Sequence, residues 1–337
     1  MIPAYNGEKF LKLAIEAALA QTRMADEVIV IDDASTDRSA SIAQAFGDKI
    51  KYFYHSKATG FVDAWNRAAG KASCDFVTIL HQDDLLHQDY LMHIEKAISR
   101  YPNVRHFYAA CNYIDEHGTV TQLAPEPHSM EPVLYTGKEY AHNYLNGVLT
   151  NRHIHRCPGV TTTRNLLLNE CSYRKEAGHI ADDDFFLRVG AFTDVVGISQ
   201  PLASYRHHRE SETSKLNSLT HSLARDYLYQ VKYYKAGSSL LDQQDVTKIN
   251  SQAVKFINLL LFQALRDREA ENTGGAFQLK KELEILLPGF TKKTLPAWGR
   301  IMWEMGSPEG SNFIARQYVN LLALAINARN FAKKVLR

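Results

Sequence analysis

Cysteine is scarce in this sequence, and the few residues present are scattered. The 337 residues include four cysteines, none of them in a CxxC pair. This spacing excludes a zinc site built on paired cysteines and indicates no disulfide framework. Because no apolar leader stands before Ile2, we expect four reduced thiols in a cytoplasmic protein.

Long apolar runs and glycine-rich loops are lacking as well. Among the longest apolar runs is Phe256–Phe262, which Asn258 interrupts. It falls far short of the roughly 18 continuous apolar residues that a membrane span needs. The sequence has no GxGxxG pattern, which excludes a Rossmann dehydrogenase.

A large excess of charge of either sign is also absent. The formal net charge is +2, from 39 basic and 37 acidic residues, too balanced to indicate nucleic acid as a partner. The charge is unevenly divided, however. Residues 215–337 carry eighteen Lys and Arg against ten Asp and Glu, a local +8 that leaves residues 1–214 at −6. The front of the chain is acidic and the back is basic.

What is present is the composition of a folded globular protein, with 45% hydrophobic and 23% charged residues. Residues 1–214 alternate short β-rich runs with helical periods, the pattern of an α/β domain with an open sheet. From about Leu216 the β signal stops, and helices separated by breaks such as Gly274-Gly275 and Pro288-Gly289 are expected. The sequence predicts two domains, residues 1–214 and 215–337.

Two patterns locate the elements of the first domain. Uninterrupted apolar runs at Val28–Ile31 and Phe76–Leu80 are typical of strands buried on both faces. Apolar residues at three- and four-residue spacing predict a helix directly after Asn6-Gly7. Two more strands are expected at Lys51–Tyr54 and His106–Ala110, and two more helices at Ser39–Phe46 and Val62–Ala69.

The first strand is unusual. Ile2 has the character of the last residue of a strand, and Pro3–Asn6 that of the loop after it, yet only Met1 precedes them. We therefore expect either that the chain begins downstream of its natural start or that this strand is very short.

Polar residues follow three of these apolar runs. They are Pro3–Asn6, Asp32–Asp37 and His81–Asp84. In open α/β sheets ligands bind beyond the carboxyl ends of the strands, so these segments are candidates for a site. Paired carboxylates such as Asp83 and Asp84 repel each other unless a cation or ligand donors compensate them, which indicates Mg²⁺ or Mn²⁺ carrying a diphosphate. For the acids of Asp32–Asp37, capping of the following helix is an open alternative.

Together with Gly60 and Asn66-Arg67, these three segments stand in the order and approximate spacing of glycosyltransferase family 2. The resemblance covers roughly residues 1–210. It implies a GT-A fold, an open mixed sheet with helices on both faces, followed here by a helical C-terminal appendage. It also implies transfer of a sugar from a nucleoside-diphosphate-sugar donor to an acceptor hydroxyl, with inversion at the anomeric carbon.

The resemblance assigns donor-binding roles position by position. The loop Pro3, Ala4 and Tyr5 would hold the nucleobase, with the ring of Tyr5 stacked on it. Asp33, and secondarily Asp32, would hold base and ribose, and Asp83 would bind the metal on the diphosphate. His81 stands where the family has the first acid of its Asp-x-Asp motif, and it could contact a ribose hydroxyl or the metal. The other expected donor-site residues are Gly60, Asn66, Gln82 and Asp84.

A general base is required because a sugar hydroxyl is a poor nucleophile near neutral pH. The run Ile180–Arg188 resembles the family's Glu-Asp motif, which places the base at Asp182 and Ala181 where the family has Glu. Acids at a helix start also satisfy the helix dipole, and for Asp183 and Asp184 that alternative is the stronger one.

The segment Tyr205–Thr213 resembles the family segment that closes the catalytic domain. Its match assigns His208 to the metal or the diphosphate, with Arg206 offsetting negative charge in the transition state.

The last segment, Asn312–Arg337, is basic and partly amphipathic. Such a helix can lie on anionic lipid or simply pack on its own domain. With no membrane span indicated, the first possibility fits a glycan or lipid-linked acceptor in cell-envelope polysaccharide assembly, with peripheral contact at the cytosolic face of the membrane.

Of two other interpretations, one is disfavoured and one remains open. A sugar-nucleotide pyrophosphorylase would share fold and metal, but Ala4–Gly7 is not the glycine-rich loop that it needs. A degenerate family member that binds nucleotide or a partner without turnover would account for His81, Ala181 and the short first strand.

Overall fold

The computed structural model describes residues 1–124, 129, 131–150, 152–211, 220–234, 240–267 and 270–290. The chain divides into two compact units, Met1–Ser214 with Ser239–Leu241, and Lys215–Ser238 with Asp242–Arg337.

The first unit contains a three-stranded parallel sheet in which β2 lies between β1 and β3. All four residues of β2 are buried, as expected for its apolar run. Ala4, Asp32 and Tyr54 are register partners, so the three strands end level with one another. The strands are β1 (Ile2–Ala4), β2 (Ile29–Asp32) and β3 (Lys51–Tyr54), and the helices between and after them are α1 (Leu11–Leu19), α2 (Ser39–Gln44) and α3 (Phe61–Lys71).

A mixed seven-stranded sheet completes the β structure of this unit. Its main path runs β4-β9-β6-β10-β5, with β7 beside β6 and β8 beside β10. Only β6 and β10 pair in parallel. The strands are β4 (Phe76–Thr78), β5 (Leu85–Leu86), β6 (His106–Ile114), β7 (Val120–Gln122), β8 (Val133–Tyr135), β9 (Val160–Thr163) and β10 (Val195–Arg206).

Three more helices belong to this unit, namely α4 (Tyr90–Arg100), α5 (Gly137–Thr150) and α6 (Ala181–Val189). The start of α5 and the end of α6 approach so closely that a Cβ on Gly137 would lie 1.8 Å from the carbonyl oxygen of Gly190. Glycine at this contact lets the two helices pack together, which places Tyr144 beside the first turn of α6.

The core joins both sheets to α1 and α4. Ile2, Leu11, Ile15, Ile94 and Phe107 are at most 3% exposed and lie in one hydrophobic cluster. The apolar spacing that predicts α1 is therefore the spacing of its buried face.

The predicted strands and helices of this unit are present, with different bounds for several of them. The loop expected at Pro3–Asn6 is wrong for Pro3 and Ala4, which belong to β1 because they pair with Ile31 and Asp32 of β2. β4 ends at Thr78, two residues early, and Leu80 donates its N–H to the carbonyl of Met1 instead. β6 extends to Ile114 because it pairs with β9, β10 and β7 along its length.

The described part of the second unit is helical, with α7 (Thr220–Tyr233), α8 (Gln243–Asp267) and α9 (Ala270–Leu286). The break expected at Gly274-Gly275 is wrong, because both glycines lie within α9. Burial of Leu279 and Leu283 stabilises this helix despite the low helix propensity of glycine. The expected break at Pro288-Gly289 agrees with the end of α9 at Leu286. The basic segment Asn312–Arg337 lies outside the described residues.

Among the described helices, none combines the length and apolarity required to cross a bilayer.

Candidate active site

The loop after β1 is tied to the loop after β4 by one side chain. Tyr5 donates its N–H to Gln82 Oε1 at 2.8 Å, and Gln82 Nε2 donates to the Tyr5 carbonyl at 3.0 Å. Gly7 leaves room for this clamp, since a Cβ there would lie 2.2 Å from Gln82 Oε1. The Tyr5 side chain is 52% exposed and accessible to a nucleobase. Gln82 thus uses its amide to position Tyr5, directly after Pro3 and Ala4 at the end of β1.

The same loop is tied to the segment after β2. Asn6, with a φ of +47°, donates its N–H to Ser35 Oγ at 2.9 Å and accepts from the Thr36 N–H at 2.9 Å. Asp37 accepts from the Glu8 N–H, also at 2.9 Å. The ends of β1 and β2 thereby form one connected surface, as expected for strands that end level.

Asp33, at the end of β2, is 3% exposed and saturated by protein donors. Oδ2 accepts from the N–H groups of Thr59 and Gly60 at 2.8 and 3.0 Å, and Oδ1 from Thr59 Oγ1 and Arg67 Nη1 at 3.0 Å each. Burial raises the pKa of Asp33, but these donors outweigh it and the pKa is lowered. A carboxylate has about four acceptor positions. Asp33 therefore holds Thr59 and Gly60 in place, and its four acceptor positions are occupied by protein donors.

Asp32 is also internal. Its side chain is buried, with Oδ1 accepting from the Ser35 N–H at 2.8 Å and Oδ2 from the Tyr52 hydroxyl at 2.7 Å. The open alternative, capping of the following helix, is not what these bonds do, because Ser35 lies before α2, which begins at Ser39. Each oxygen keeps an acceptor position but the side chain is buried, and the secondary donor-binding role implied by the resemblance stays a prediction.

Asn66 likewise binds backbone. Its Nδ2 donates to the Tyr173 carbonyl at 2.9 Å, and its Oδ1 accepts from the Tyr173 N–H at 3.1 Å. This pair of bonds joins α3 to the segment leading into α6. Asn66 thus positions that segment, and the donor contact implied by the resemblance stays a prediction.

Beyond β4, three side chains form a candidate metal centre. Ligand atoms of His81, Asp83 and Asp84 all lie within 4.8 Å of one another. His81 Nδ1 is 3.7 Å from Asp84 Oδ2, and within the described residues neither His81 Nε2 nor Asp84 Oδ2 has a hydrogen-bond partner. One imidazole nitrogen and carboxylate oxygens suit Mn²⁺, and the carboxylates also suit Mg²⁺. Buried acceptors without a donor are what a cation would satisfy, so the residues present fit a divalent metal.

Two residues from the end of β10 support this centre. Asp84 Oδ1 accepts from the Arg206 N–H at 2.7 Å, and Asp83 Oδ2 lies 3.0 Å from His208 Nε2. His208 therefore reaches the centre through Asp83. Burial and the Asp83 charge raise the pKa of Asp84 well above its usual range.

The structure corrects the role expected for Arg206. Its side chain is buried, with Nε donating to the Asp83 carbonyl at 2.7 Å and Nη1 to the Asp115 carbonyl at 2.8 Å. The guanidinium also stacks on Phe10, 4.6 Å from the ring centroid. Arg206 is therefore a structural clamp on the Asp83 backbone, and it is too buried to face a diphosphate.

Asp182 lies in the first turn of α6. Its Oδ1 accepts from the Asp183 N–H at 2.9 Å, and its Oδ2 accepts from the Cys157 thiol at 3.4 Å. Burial raises the pKa of Cys157, so the thiol stays protonated and remains a donor. Asp182 is half-buried, and each oxygen keeps an acceptor position for an incoming hydroxyl.

The charges of Asp182 and Asp83 both affect the pKa of His81. Burial lowers the pKa of His81, and the charges of Asp83 and Asp182 each raise it. The imidazole of His81 thus interacts electrostatically with both the candidate metal ligand Asp83 and the candidate base Asp182. The segments after β4 and at the start of α6, widely separated in the chain, converge on it.

The other two acids of this turn have protein partners. Asp183 accepts from the Tyr144 hydroxyl at 2.6 Å, and burial followed by the Asp182 charge raises its pKa to about 7. Asp184 forms a buried ion pair with Arg188 at 2.7 Å. Asp184 is therefore held by an ion pair within α6, whereas Asp183 donates its N–H to Asp182, and a role of these acids toward the helix dipole stays a prediction.

Sequence reasoning missed Arg156. It precedes the turn Cys157–Gly159, is half-buried, and donates from Nε to the Tyr113 hydroxyl at 2.9 Å. Its guanidinium lies 5.6 Å and 5.3 Å from the ring centroids of Tyr113 and Tyr205. The available signal was an arginine beside a Cys-Pro-Gly turn, which is weak because its partners come from distant strands.

Sequence comparison connects the first unit with a known family. Residues 1–157 match the model described as "Glycosyl transferase family 2". An uncharacterized glycosyltransferase of Rickettsia typhi is 35% identical over 103 residues, which cover 31% of this chain and 32% of that protein. A second, from Rickettsia conorii, is 32% identical over 136 residues, covering 40% of this chain and 22% of that protein. These matches thus span a third or less of the relatives' own length.

Structural comparison covers nearly the whole chain. S. aureus TarS residues 1–349 in complex with UDP superpose with a TM-score of 0.60 at 16% identity, covering 96% of this chain and 90% of that one. The same protein in complex with UDP-GlcNAc gives 0.60 at 15% identity, with the same coverage. At this identity the likeness concerns the fold, and it confirms the predicted GT-A architecture with C-terminal helices.

Proposed function

Residues 1–157 belong to glycosyltransferase family 2, and from that premise we propose that this chain transfers a sugar from a nucleoside-diphosphate-sugar donor to an acceptor hydroxyl. The observation that carries the proposal is the convergence on His81 of a metal-competent cluster and a carboxylate at a helix start. A donor held at the metal-competent cluster would present its anomeric carbon to an acceptor hydroxyl that the carboxylate deprotonates.

The donor side uses three groups. The exposed ring of Tyr5 stacks on the nucleobase, on a loop that Gln82 holds in place. His81, Asp83 and Asp84 hold a divalent cation, which when bound neutralises the developing charge of the leaving diphosphate. Complexes of S. aureus TarS with UDP and UDP-GlcNAc support a uridine nucleotide as the first donor to test.

The acceptor side uses Asp182. One of its oxygens accepts the proton of the attacking hydroxyl, while the Asp183 N–H and the Cys157 thiol keep the carboxylate oriented. A single base and a single in-line attack invert the configuration at the anomeric carbon. A positioned base of this kind contributes about 10²- to 10⁴-fold to the rate.

The acceptor class and the location belong to the proposal as well. The basic residues 215–337 suit a glycan or lipid-linked acceptor at an anionic cytosolic membrane face, reached from the cytoplasm.

A panel of sugar nucleotides tests the proposal. Thermal unfolding is measured with each compound in Mn²⁺, in Mg²⁺ and in EDTA, followed by release of the nucleoside diphosphate. We expect one donor to raise the melting temperature only with metal and to be hydrolysed slowly without acceptor. If a sugar nucleotide stabilises the protein but no nucleoside diphosphate is released with any candidate acceptor, the result favours the alternative suggested by His81, a degenerate family member that binds nucleotide without turnover. Absence of both effects in a folded protein would overturn the proposal.

A further inference from the structure

Arg156 is a cation without a carboxylate partner inside the candidate active site. Its Nε uses one of the five N–H donors of a guanidinium, on the Tyr113 hydroxyl. Across the described residues, no carboxylate oxygen lies within ion-pair distance of it. Its pKa is raised, with the phenols of Tyr113 and Tyr205 and the charge of Asp183 among the causes that oppose its burial, so it is permanently charged.

The other arginines near the site donate to protein acceptors. Arg67 binds Asp33 at 3.0 Å, and Arg188 binds Asp184 at 2.7 Å. Arg206 donates to backbone carbonyls. Burial of a guanidinium costs free energy unless its donors are satisfied. The Nη groups of Arg156 therefore differ from those of its neighbours in facing no protein acceptor among the described residues.

Arg156 lies close to Asp182, the candidate base. The next residue, Cys157, donates its thiol to Asp182 Oδ2 at 3.4 Å. The positive charge of Arg156 lowers the pKa values of both Asp84 and Asp183, although it pairs with neither. An arginine that served only to neutralise these acids would lie within ion-pair distance of one of them.

Two aromatic rings flank the guanidinium. Tyr113 on β6 and Tyr205 on β10 are register partners, with ring centroids 5.7 Å apart in an edge contact. The guanidinium lies 5.6 Å and 5.3 Å from the two ring centroids, and contact with both rings restricts it, which lowers the entropic cost of binding an anion.

From this placement we propose that Arg156 binds an anionic group, a phosphate or a carboxylate, carried by the acceptor. The proposal rests on the proposed glycosyltransferase function. The donor's diphosphate has its own cation site at His81, Asp83 and Asp84, whereas Arg156 adjoins the base. Arg recognises both phosphate and carboxylate through paired N–H donors, so the two sources share one chemistry.

Matched probes test the proposal without knowledge of the natural acceptor. Binding of glucose 6-phosphate, glucuronate and glucose to the whole chain is measured by ligand-observed NMR. We expect the anionic sugar that carries the correct group to bind about tenfold or more tightly than glucose, and inorganic phosphate to compete with it. The stronger of the two anionic probes identifies phosphate or carboxylate.

Substitution assigns the effect to this residue. Arg156→Gln should remove the preference for the anionic sugar, and Arg156→Lys should keep part of it. Arg100→Gln, which removes a surface arginine paired with Glu131, is the matched control and should keep the whole preference. If the unaltered chain binds glucose and both anionic sugars equally, the proposal is overturned without any variant. An unchanged preference in Arg156→Gln would also overturn it. The sugar-nucleotide panel reports the donor side independently, so failure of the proposed function is distinguishable from failure of this subsite.

Discussion

The imidazole of His81 lies nearly parallel to the indole of Trp65, with ring centroids 5.0 Å apart and 14° between the planes. Trp65 is buried in α3 and also contacts Tyr173 edge-on. The stack holds the imidazole with Nδ1 toward Asp84. The residue that departs from the family's acidic motif is thus a positioned nitrogen donor.

This donor predicts a metal preference. Burial lowers the pKa of His81, so the neutral, ligating form is present near neutral pH. Imidazole favours Mn²⁺ over Mg²⁺, whereas an all-oxygen set favours Mg²⁺. We expect His81→Asp to shift the ratio of donor hydrolysis in Mn²⁺ to that in Mg²⁺ by about tenfold toward Mg²⁺. His117→Asp, at an exposed histidine, is the control, and an unchanged ratio in His81→Asp would exclude His81 as a ligand.

The acids of α6 predict a contrast between activity and stability. In Asp182→Asn the amide oxygen can still accept from the Asp183 N–H, so the protein should stay folded while sugar transfer falls by about 10²-fold or more. Asp184→Ala leaves Arg188 buried without its partner, which should cost about 3 kcal/mol of unfolding free energy. Urea unfolding and transfer rates per folded molecule measure the two effects. Full activity of Asp182→Asn would remove it from the mechanism.

Much of the site was predictable because apolar runs followed by acids mark strand ends. β2 and the segment after β4 lie where their sequence indicated. Which acids remain free was not predictable, since that depends on donors far along the chain. Asp33 is saturated by Thr59, Gly60 and Arg67, 26 to 34 residues away.

The roles of the two arginines show the same limit. Arg206 resembles a family position, yet its side chain is held by carbonyls 90 residues or more distant, at Asp115 and Asp83. Arg156 matches no local pattern, because its flanking rings come from β6 and β10. Residue type predicts what a side chain can do, and only tertiary packing decides which atoms are left to do it.

Asp183 predicts a pH dependence of stability. Its pKa in the folded protein is about 7, against about 3.9 for an unperturbed Asp. Folding therefore favours the protonated form, and this contribution is complete below about pH 4 and is lost as the pH rises through about 7. Asp183→Asn is neutral throughout and keeps an oxygen for the Tyr144 hydroxyl.

Relative to the unaltered chain, Asp183→Asn should gain about 2 kcal/mol in unfolding free energy between pH 5 and pH 8. Urea unfolding at several pH values measures this difference. Asp48→Asn, at an exposed site, is the control, and its profile of unfolding free energy against pH should run parallel to that of the unaltered chain. If the profile of Asp183→Asn is also parallel to that of the unaltered chain, Asp183 is ionised across the whole pH range.

The contact between Gly7 and Gln82 predicts a coupled effect on donor affinity. A methyl group at Gly7 would overlap the Gln82 amide, whose flexible end can swing away but only by releasing both bonds to Tyr5. Gly7→Ala and Gln82→Ala should therefore each raise the KM for the donor by about fivefold, with kcat changed less. The double variant should be no worse than either single one, since both remove the same clamp. Gly70→Ala, where an added Cβ meets nothing within 4 Å, should leave KM unchanged. Additive effects of the two substitutions would show that Gln82 does not hold the Tyr5 loop for the donor.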